Sequence, residues 1–233
     1  MPRVPRFLSW CFNALYAAAI LAASPWLLYQ ALTKGKYRAG FAEKLLGRVP
    51  PTAPGERRRV VWLHAVSVGE VNLVAPLLAE IARRQLPWHC VLSTTTATGL
   101  ALARKKYPEL TTFYCPLDFT WAVNAAVARV RPDLLVLVEL ELWPNLIAAA
   151  HRRGAQVAVL NGRLSERSHR GYRRLRPLLR PVFASVARVL AQTYDYARRF
   201  VDLGQPPDRV TVTGSLKFDG VATDRANPAT REL

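Results

Sequence analysis

Val60-Val-Trp-Leu-His-Ala-Val-Ser-Val-Gly-Glu70 decides the fold class of this 233-residue chain. The apolar run Val60 to Leu63 has the character of a buried strand and stops at a turn of small residues. An amphipathic run follows, Val71, Leu73, Val74, Leu77, Leu78 and Ile81, and its spacing predicts a helix over 71–84. Strand, tight turn and helix then succeed one another, with Glu70 at or near the helix start. A carboxylate there lies beside the partial positive charge of the helix end, which favours its ionised, proton-accepting form. Acidic residues also occupy first helical turns for capping alone, so the stretch admits a structural reading beside the chemical one.

The same alternation continues outward. Strand-like runs recur at 89–94, 112–115, 134–138, 157–160, 188–191 and 210–213. Helix-like runs fall at 99–106, 121–129, 146–153 and 194–203, with a further stretch at 172–187 interrupted by Pro177 and Pro181. Strands alternating with helices predict an α/β fold, a parallel Rossmann-like sheet covered on both faces. Ligands of such sheets sit at the carboxyl ends of the strands, the edge where Glu70 falls.

Toward the amino terminus, no charged residue occurs from Phe7 to Leu32. That exceeds the roughly 20 residues a membrane span requires. Trp10, Trp26 and Tyr29 lie near the ends, where interfacial aromatics belong. Pro25 is expected to kink this segment or end its first helix. A cleaved signal peptide fits poorly, because apolar residues continue past Ala22-Ala-Ser24. A core helix is seldom apolar on every side. Residues 1–33 therefore read as a membrane anchor, spanning or half-embedded. Lys34, Lys36, Arg38, Lys44 and Arg48 outnumber Arg3 and Arg6 on the other flank, which places the rest of the chain on the cytoplasmic side of the membrane. Residues 34–59 read as a basic juxtamembrane segment ending in the linker Val49-Pro-Pro-Thr-Ala-Pro-Gly55.

Net charge is +17, and its placement is uneven. Residues 1–59 hold 10 Lys/Arg against 2 Asp/Glu, residues 151–200 hold 12 against 2, and the remainder is nearly neutral. Two basic segments suit a polyanion: nucleic acid, anionic lipid or a phosphorylated glycolipid. Cys11, Cys90 and Cys115 have no metal-like spacing and read as reduced packing residues. The four histidines, His64, His89, His151 and His169, are scattered, so no metal site is expected.

No dinucleotide fingerprint follows a strand and no P-loop occurs. Ser67-Val-Gly69 offers a weak anion-binding turn at most. A second acidic constellation is Val138-Glu-Leu-Glu-Leu-Trp-Pro-Asn145, in which Glu139 and Glu141 share a face if the strand runs that far. Either the pair joins Glu70 at the carboxyl edge, or one caps the next helix and the other meets an Arg.

These stretches, with Leu92-Ser-Thr-Thr-Thr-Ala-Thr-Gly99, Pro116-Leu-Asp118, Asn161-Gly-Arg-Leu-Ser-Glu-Arg-Ser168 and Val212-Thr-Gly-Ser-Leu-Lys-Phe-Asp219, occur in an order that resembles the 3-deoxy-D-manno-octulosonic acid (Kdo) transferases of lipid A glycosylation. The resemblance spans nearly the whole chain. It implies the amino-terminal domain of a two-domain GT-B glycosyltransferase, working without metal or cofactor, at the inner membrane with the domain facing the cytoplasm. It implies CMP-Kdo as donor, a lipid A precursor as acceptor, an anionic membrane surface as a further partner, and inversion at the sugar carbon. Glu70 then corresponds to the family's general base, and Glu139 or Glu141 to a second essential acid. Ser67, Gly69, Asn161, Arg163, Ser165 and Lys217 fall on substrate-binding motifs, with Gly162 standing where the family usually has Ala.

Under this reading residues 60–216 form the acceptor-binding domain, 217–233 begin an interdomain linker, and the nucleotide-sugar domain is absent. One alternative is a catalytically incomplete acceptor- and membrane-binding half. Another is a membrane-tethered basic nucleic-acid-binding protein, which the sparse aromatic interleaving of the Arg-rich segment disfavours; no nucleic acid partner is expected.

Overall fold

The computed structural model describes residues 4–34, 39–52, 58–140 and 142–217. Seven strands form one parallel sheet: β1 Arg59–His64, β2 Trp88–Thr94, β3 Thr111–Tyr114, β4 Leu134–Val138, β5 Gln156–Gly162, β6 Arg188–Ala191 and β7 Val210–Val212. Their order is β3-β2-β1-β4-β5-β6-β7. The central strands β1, β2 and β4 are buried on both faces, so their side chains diverge by parity, while the edge strand β7 is only partly covered. On β1, Val61 and Leu63 enter one apolar cluster and Trp62 the other.

Ten helices are described: α1 Arg6–Lys34, α2 Phe41–Leu46, α3 Val68–Leu73, α4 Ala75–Arg83, α5 Ala97–Lys106, α6 Thr120–Val130, α7 Pro144–Arg152, α8 Glu166–Arg174, α9 Arg176–Ser185 and α10 Tyr194–Asp202. Residues of α3, α4 and α5 build one core, and those of α6, α7, α9 and α10 build the other. The helix expected over 71–84 is two: α3 ends at Leu73 and α4 restarts with Pro76 in its first turn, where proline is tolerated. Similarly, the stretch expected over 172–187 begins earlier, at the Ser165 cap, and breaks at Leu175.

Two expectations for the amino-terminal region are revised. Of the two outcomes expected at Pro25, a kink or a helix end, the second does not occur: α1 runs through Pro25 to Lys34. Within the segment read as basic linker, residues 39–52 pack on the domain: α2 is closed at both ends by Gly40 and Gly47 in the left-handed conformation, and Val49 is fully buried. A Cβ on Gly47 would meet the Ala122 carbonyl oxygen at 2.0 Å, so only glycine lets α2 approach α6 this closely.

The apolar helix α1 is also not uniformly exposed. Leu8 and Phe12, with Val4 just before the helix, are buried in the core beneath α6 and α7, with Ser9 and Asn13 beside them. Its outer face presents Phe7, Trp10, Leu15, Leu21, Trp26, Leu28, Tyr29 and Leu32 to solvent.

Candidate active site

Strands β1 and β4 are neighbours, yet the chain leaves β1 toward β2 and leaves β4 toward β5, so the sheet's switch point lies between them. Clefts form at the carboxyl ends of strands at such points. Pairing of His64 with Leu137 brings the two strand ends level. Glu70 follows the first strand and Glu139 the second.

The β1 turn is held from both sides. Ser67 caps α3, its Oγ accepting the Glu70 N–H at 3.3 Å. The Glu70 carboxylate reaches back: Oε2 accepts the Val66 N–H at 2.8 Å, and Oε1 accepts the Ser67 hydroxyl at 3.1 Å. This is a reciprocal capping arrangement shifted by one residue. Across the turn, the Val66 carbonyl accepts the hydroxyls of Thr94, Thr95 and Thr96 at 3.0, 3.2 and 3.4 Å. Both polar ends of the Val66 peptide are therefore engaged, and the carboxylate stands at a defined place while remaining 8% exposed. The structural reading of Glu70 is thus correct as geometry, and the same bonds fix where its carboxylate stands.

The second acidic stretch departs from expectation. Strand β4 ends at Val138, and Glu139 turns left-handed, φ 60°, with its N–H donating to Leu160 C=O at 2.8 Å. The strand does not extend to place Glu139 and Glu141 on one face, and Glu141 lies outside the described residues. Asn161, on neighbouring β5, is also left-handed at φ 57°. Two non-glycine residues in this region, side by side at strand ends, concentrate backbone strain at the cleft.

Asn161 is buried, and its Oδ1 accepts the Leu216 N–H at 3.0 Å, tying β5 to the segment carrying Lys217. Ser165 caps α8, accepting the Ser168 N–H at 3.1 Å, so its visible role is local. Arg163, Gly69 and Lys217 are exposed. The structure thus joins Ser67 to Glu70 and Asn161 to the neighbour of Lys217, and sets Arg163 and Ser165 apart on the loop after β5.

Sequence reasoning missed His64 and Asp118. His64 is fully buried, its Nδ1 lies 2.9 Å from Ser93 Oγ, and its ring meets that of Trp143 edge-on at 5.4 Å. Burial pushes its pKa down to about 4, so it is neutral at physiological pH. Among the described residues, four of the seven buried side-chain atoms lacking a hydrogen-bond partner belong to this region, His64 Nε2, Trp143 Nε1, Asn145 Oδ1 and Asn161 Nδ2; Ser9, Gln30 and Gln205 carry the others elsewhere. Unmet polar groups are costly, and their clustering at one strand edge marks a place where stability is sacrificed. Among the described residues, no group of three His, Cys, Asp or Glu side chains could hold a metal ion.

On the far side of β5, α9 packs on α7 and α7 on α1, so the Arg-rich run and the apolar helix belong to one side of the domain. Arg167, Arg170, Arg173, Arg174, Arg176 and Arg180 are all exposed. Glu166 pairs with Arg170 and Asp202 with Arg173.

A seven-stranded parallel sheet with its candidate residues at the switch-point edge defines a Rossmann-like domain of the GT-B type. Solved structures agree at the level of fold: UDP-GlcNAc 2-epimerase from Neisseria meningitidis bound to UDP-GlcNAc (TM-score 0.52, 16% identity, 69% of this chain and 48% of that one), and the S. aureus MnaA-UDP co-structure (TM-score 0.52, 13% identity, 75% and 51%). The chain belongs to the 3-deoxy-D-manno-octulosonic-acid transferase (kdotransferase) family, whose model matches residues 36–220. It is 34% identical to the 3-deoxy-D-manno-octulosonic acid transferase of Chlamydia pneumoniae over 92% of its length and 49% of that protein's. It is 36% identical to that of Bordetella pertussis over 89% and 50%. The chain spans about half the length of these curated relatives.

Proposed function

We propose that this chain supplies the acceptor-binding half and the general base of an inverting transfer of Kdo from CMP-Kdo to a lipid A precursor at the cytoplasmic face of the inner membrane. The observation that carries the reading is the Glu70 carboxylate, fixed by Val66 and Ser67 at the switch point of a Kdo transferase domain. Residues 60–216 receive the acceptor, and 217–233 lead toward a donor-binding domain corresponding to the rest of the relatives' length.

As CMP departs, the sugar carbon gains positive charge and the acceptor hydroxyl closes on it. An alcohol is far too weak an acid for a carboxylate to deprotonate beforehand. Glu70 takes the proton late, once the forming C–O bond has made it acidic. Glu139, following the adjacent strand, steadies developing positive charge. Asn161 and Lys217 shape the exit toward the donor side, and Arg163 and Ser165 meet acceptor phosphate. The test is radiolabelled transfer from CMP-Kdo by the purified chain, alone and joined to the carboxy-terminal half of the Bordetella relative. Transfer by the joined form supports the reading, and its absence from both forms ends it.

Gly69 offers an internal check. It is helical and exposed, and a Cβ would meet only Ser67 Oγ at an ordinary 3.7 Å. Nothing conformational demands glycine, so Gly69→Ala should stabilise the fold by about 0.5–1 kcal/mol. If the bare surface serves the acceptor, the same variant should transfer at least about tenfold more slowly, a loss of roughly 1.4 kcal/mol. Thermal unfolding and initial rates on one preparation distinguish the two effects.

The apolar face of α1 and the Arg run suit an anionic bilayer. Because α1 is seated on the domain through Tyr16, about 18 residues of the helix remain beyond the seat, or roughly 27 Å, short of a hydrocarbon core about 30 Å thick. The helix therefore lies half-embedded along the interface. Arg167→Gln with Arg174→Gln and Arg176→Gln should weaken binding to phosphatidylglycerol-containing vesicles by about 10²-fold at low salt. Binding to neutral vesicles should not change, as sedimentation would show.

A further inference from the structure

We infer that Asn13 and Tyr16 of the apolar helix are positioning residues of the site, tying α1 through Asp118 to the start of α7 and so to Trp143, which packs on His64 at the end of β1. A hydrophobic tether needs only apolar surface. Instead, α1 places two polar side chains inside the domain. Asn13 Nδ2 donates to Thr120 Oγ1 at 2.8 Å, and its Oδ1 accepts the Thr120 N–H at 3.1 Å and an Asn145 Nδ2 hydrogen at 3.2 Å. The Tyr16 hydroxyl donates to Asp118 Oδ2 at 3.1 Å.

Asp118 in turn caps a helix that its own preceding residue does not. Trp143, at the α7 amino end, makes no side-chain cap. The helix-start amides are met from a distance: Asp118 Oδ2 accepts the Asn145 N–H at 2.9 Å and Oδ1 the Leu146 N–H at 2.8 Å. The Asp118 carbonyl accepts the Asn145 side chain at 2.6 Å. Asp118 is 4% exposed and Asn145 fully buried, so these bonds are shielded from water.

From α7 the contacts run on to the site. Trp143 immediately precedes the capped turn and meets His64, which ends β1. Two residues later comes Val66, whose N–H binds Glu70. Seating of α1 at the membrane therefore bears on the start of α7 and, through His64, on the turn that carries Glu70. This rests on the functional reading above for its catalytic consequence but not for its structural one.

The test compares the 233-residue chain with its Tyr16→Phe and Asn13→Ala variants in phosphatidylglycerol-containing micelles, by amide hydrogen exchange. Tyr16→Phe keeps the ring contacts with Phe12 and Phe119 and removes one hydroxyl. The expected result is about tenfold faster exchange at Asn145 and Leu146, with β1 and β4 unchanged. Unchanged exchange there, or equal acceleration in both strands, would overturn the proposal. Where the chain transfers Kdo, the variants should lower kcat and leave the KM for CMP-Kdo alone; a raised KM at constant kcat counts against it. If even the wild-type chain transfers nothing, the functional reading is at fault, and the exchange result still decides this one.

Discussion

Glu70→Gln is expected to lower Kdo transfer by about 10²–10⁴-fold, the usual worth of a general base, with the domain still folded. The substitution is chosen because the carboxylate has two employments. As a cap it accepts the Val66 N–H and the Ser67 hydroxyl. Glutamine keeps a carbonyl oxygen able to accept either bond, and Gln serves with Glu at this position of capping boxes. What it loses is the capacity to take a proton at neutral pH. The cost in stability should stay within about 1 kcal/mol, since a cap is preserved rather than deleted. Ser67→Ala makes the complementary comparison: it removes the α3 cap and one bond to the carboxylate, so it should destabilise by about 1 kcal/mol and reduce transfer only modestly. Initial rates in the joined polypeptide, beside thermal unfolding, decide between the two employments. A Glu70→Gln variant that turns over normally would confine Glu70 to capping and leave the reaction without its base.

Much of this architecture is legible in the chain because burial on both faces of a parallel sheet writes unbroken apolar runs. Leu134-Leu-Val-Leu-Val138 can hardly be anything else, and the remaining strands, down to the partly covered β7, overlap the strand-like runs read from the chain. Turn chemistry was harder to read. Helix α2 has only six residues between two glycines, too short to show a period among basic neighbours. The α3–α4 break depends on one proline inside a continuous amphipathic pattern.

The site was legible where its parts are consecutive, as in Ser67 to Glu70, and illegible where they meet across the chain. Asp118 finds Asn145 27 residues on and Tyr16 102 residues back, distances no local pattern encodes. One signal was present. Ser9, Asn13 and Tyr16 recur at helical spacing, a polar stripe along an otherwise uncharged segment, and such a stripe faces protein rather than lipid. Absence of charge over the whole segment dominated that reading. That β4 stops before Glu139 was illegible for another reason: the left-handed turn at Glu139 depends on its bond to Leu160 on a different strand.

Asp118→Ala should cost about 3–5 kcal/mol, the largest stability loss expected from any single polar residue here. It would strand the Asn145 and Leu146 N–H groups and the Tyr16 hydroxyl in a dry interior and open a gap beside α1. The pH dependence identifies the residue independently. Burial pushes the Asp118 carboxyl up to about 7 from its ordinary 3.8, although the Asn145 and Leu146 amides and the Tyr16 hydroxyl each pull it down. The folded state therefore holds this proton more tightly than the unfolded chain does. Its contribution to stability is complete below about pH 4, is lost as pH rises through about 7, and is flat above. Asp118→Asn cannot titrate. Its amide also faces one N–H group with another donor, so it should be less stable than wild type at every pH, and the gap should narrow as pH rises from 5 to 7.5 by at most about 1.4 kcal/mol per unit. Denaturant unfolding of both forms at several pH values measures that difference directly. Parallel stability curves would show that Asp118 is ionised throughout, held by its three donors, and that the clamp between α1 and α7 works as a fixed charge rather than a titrating one.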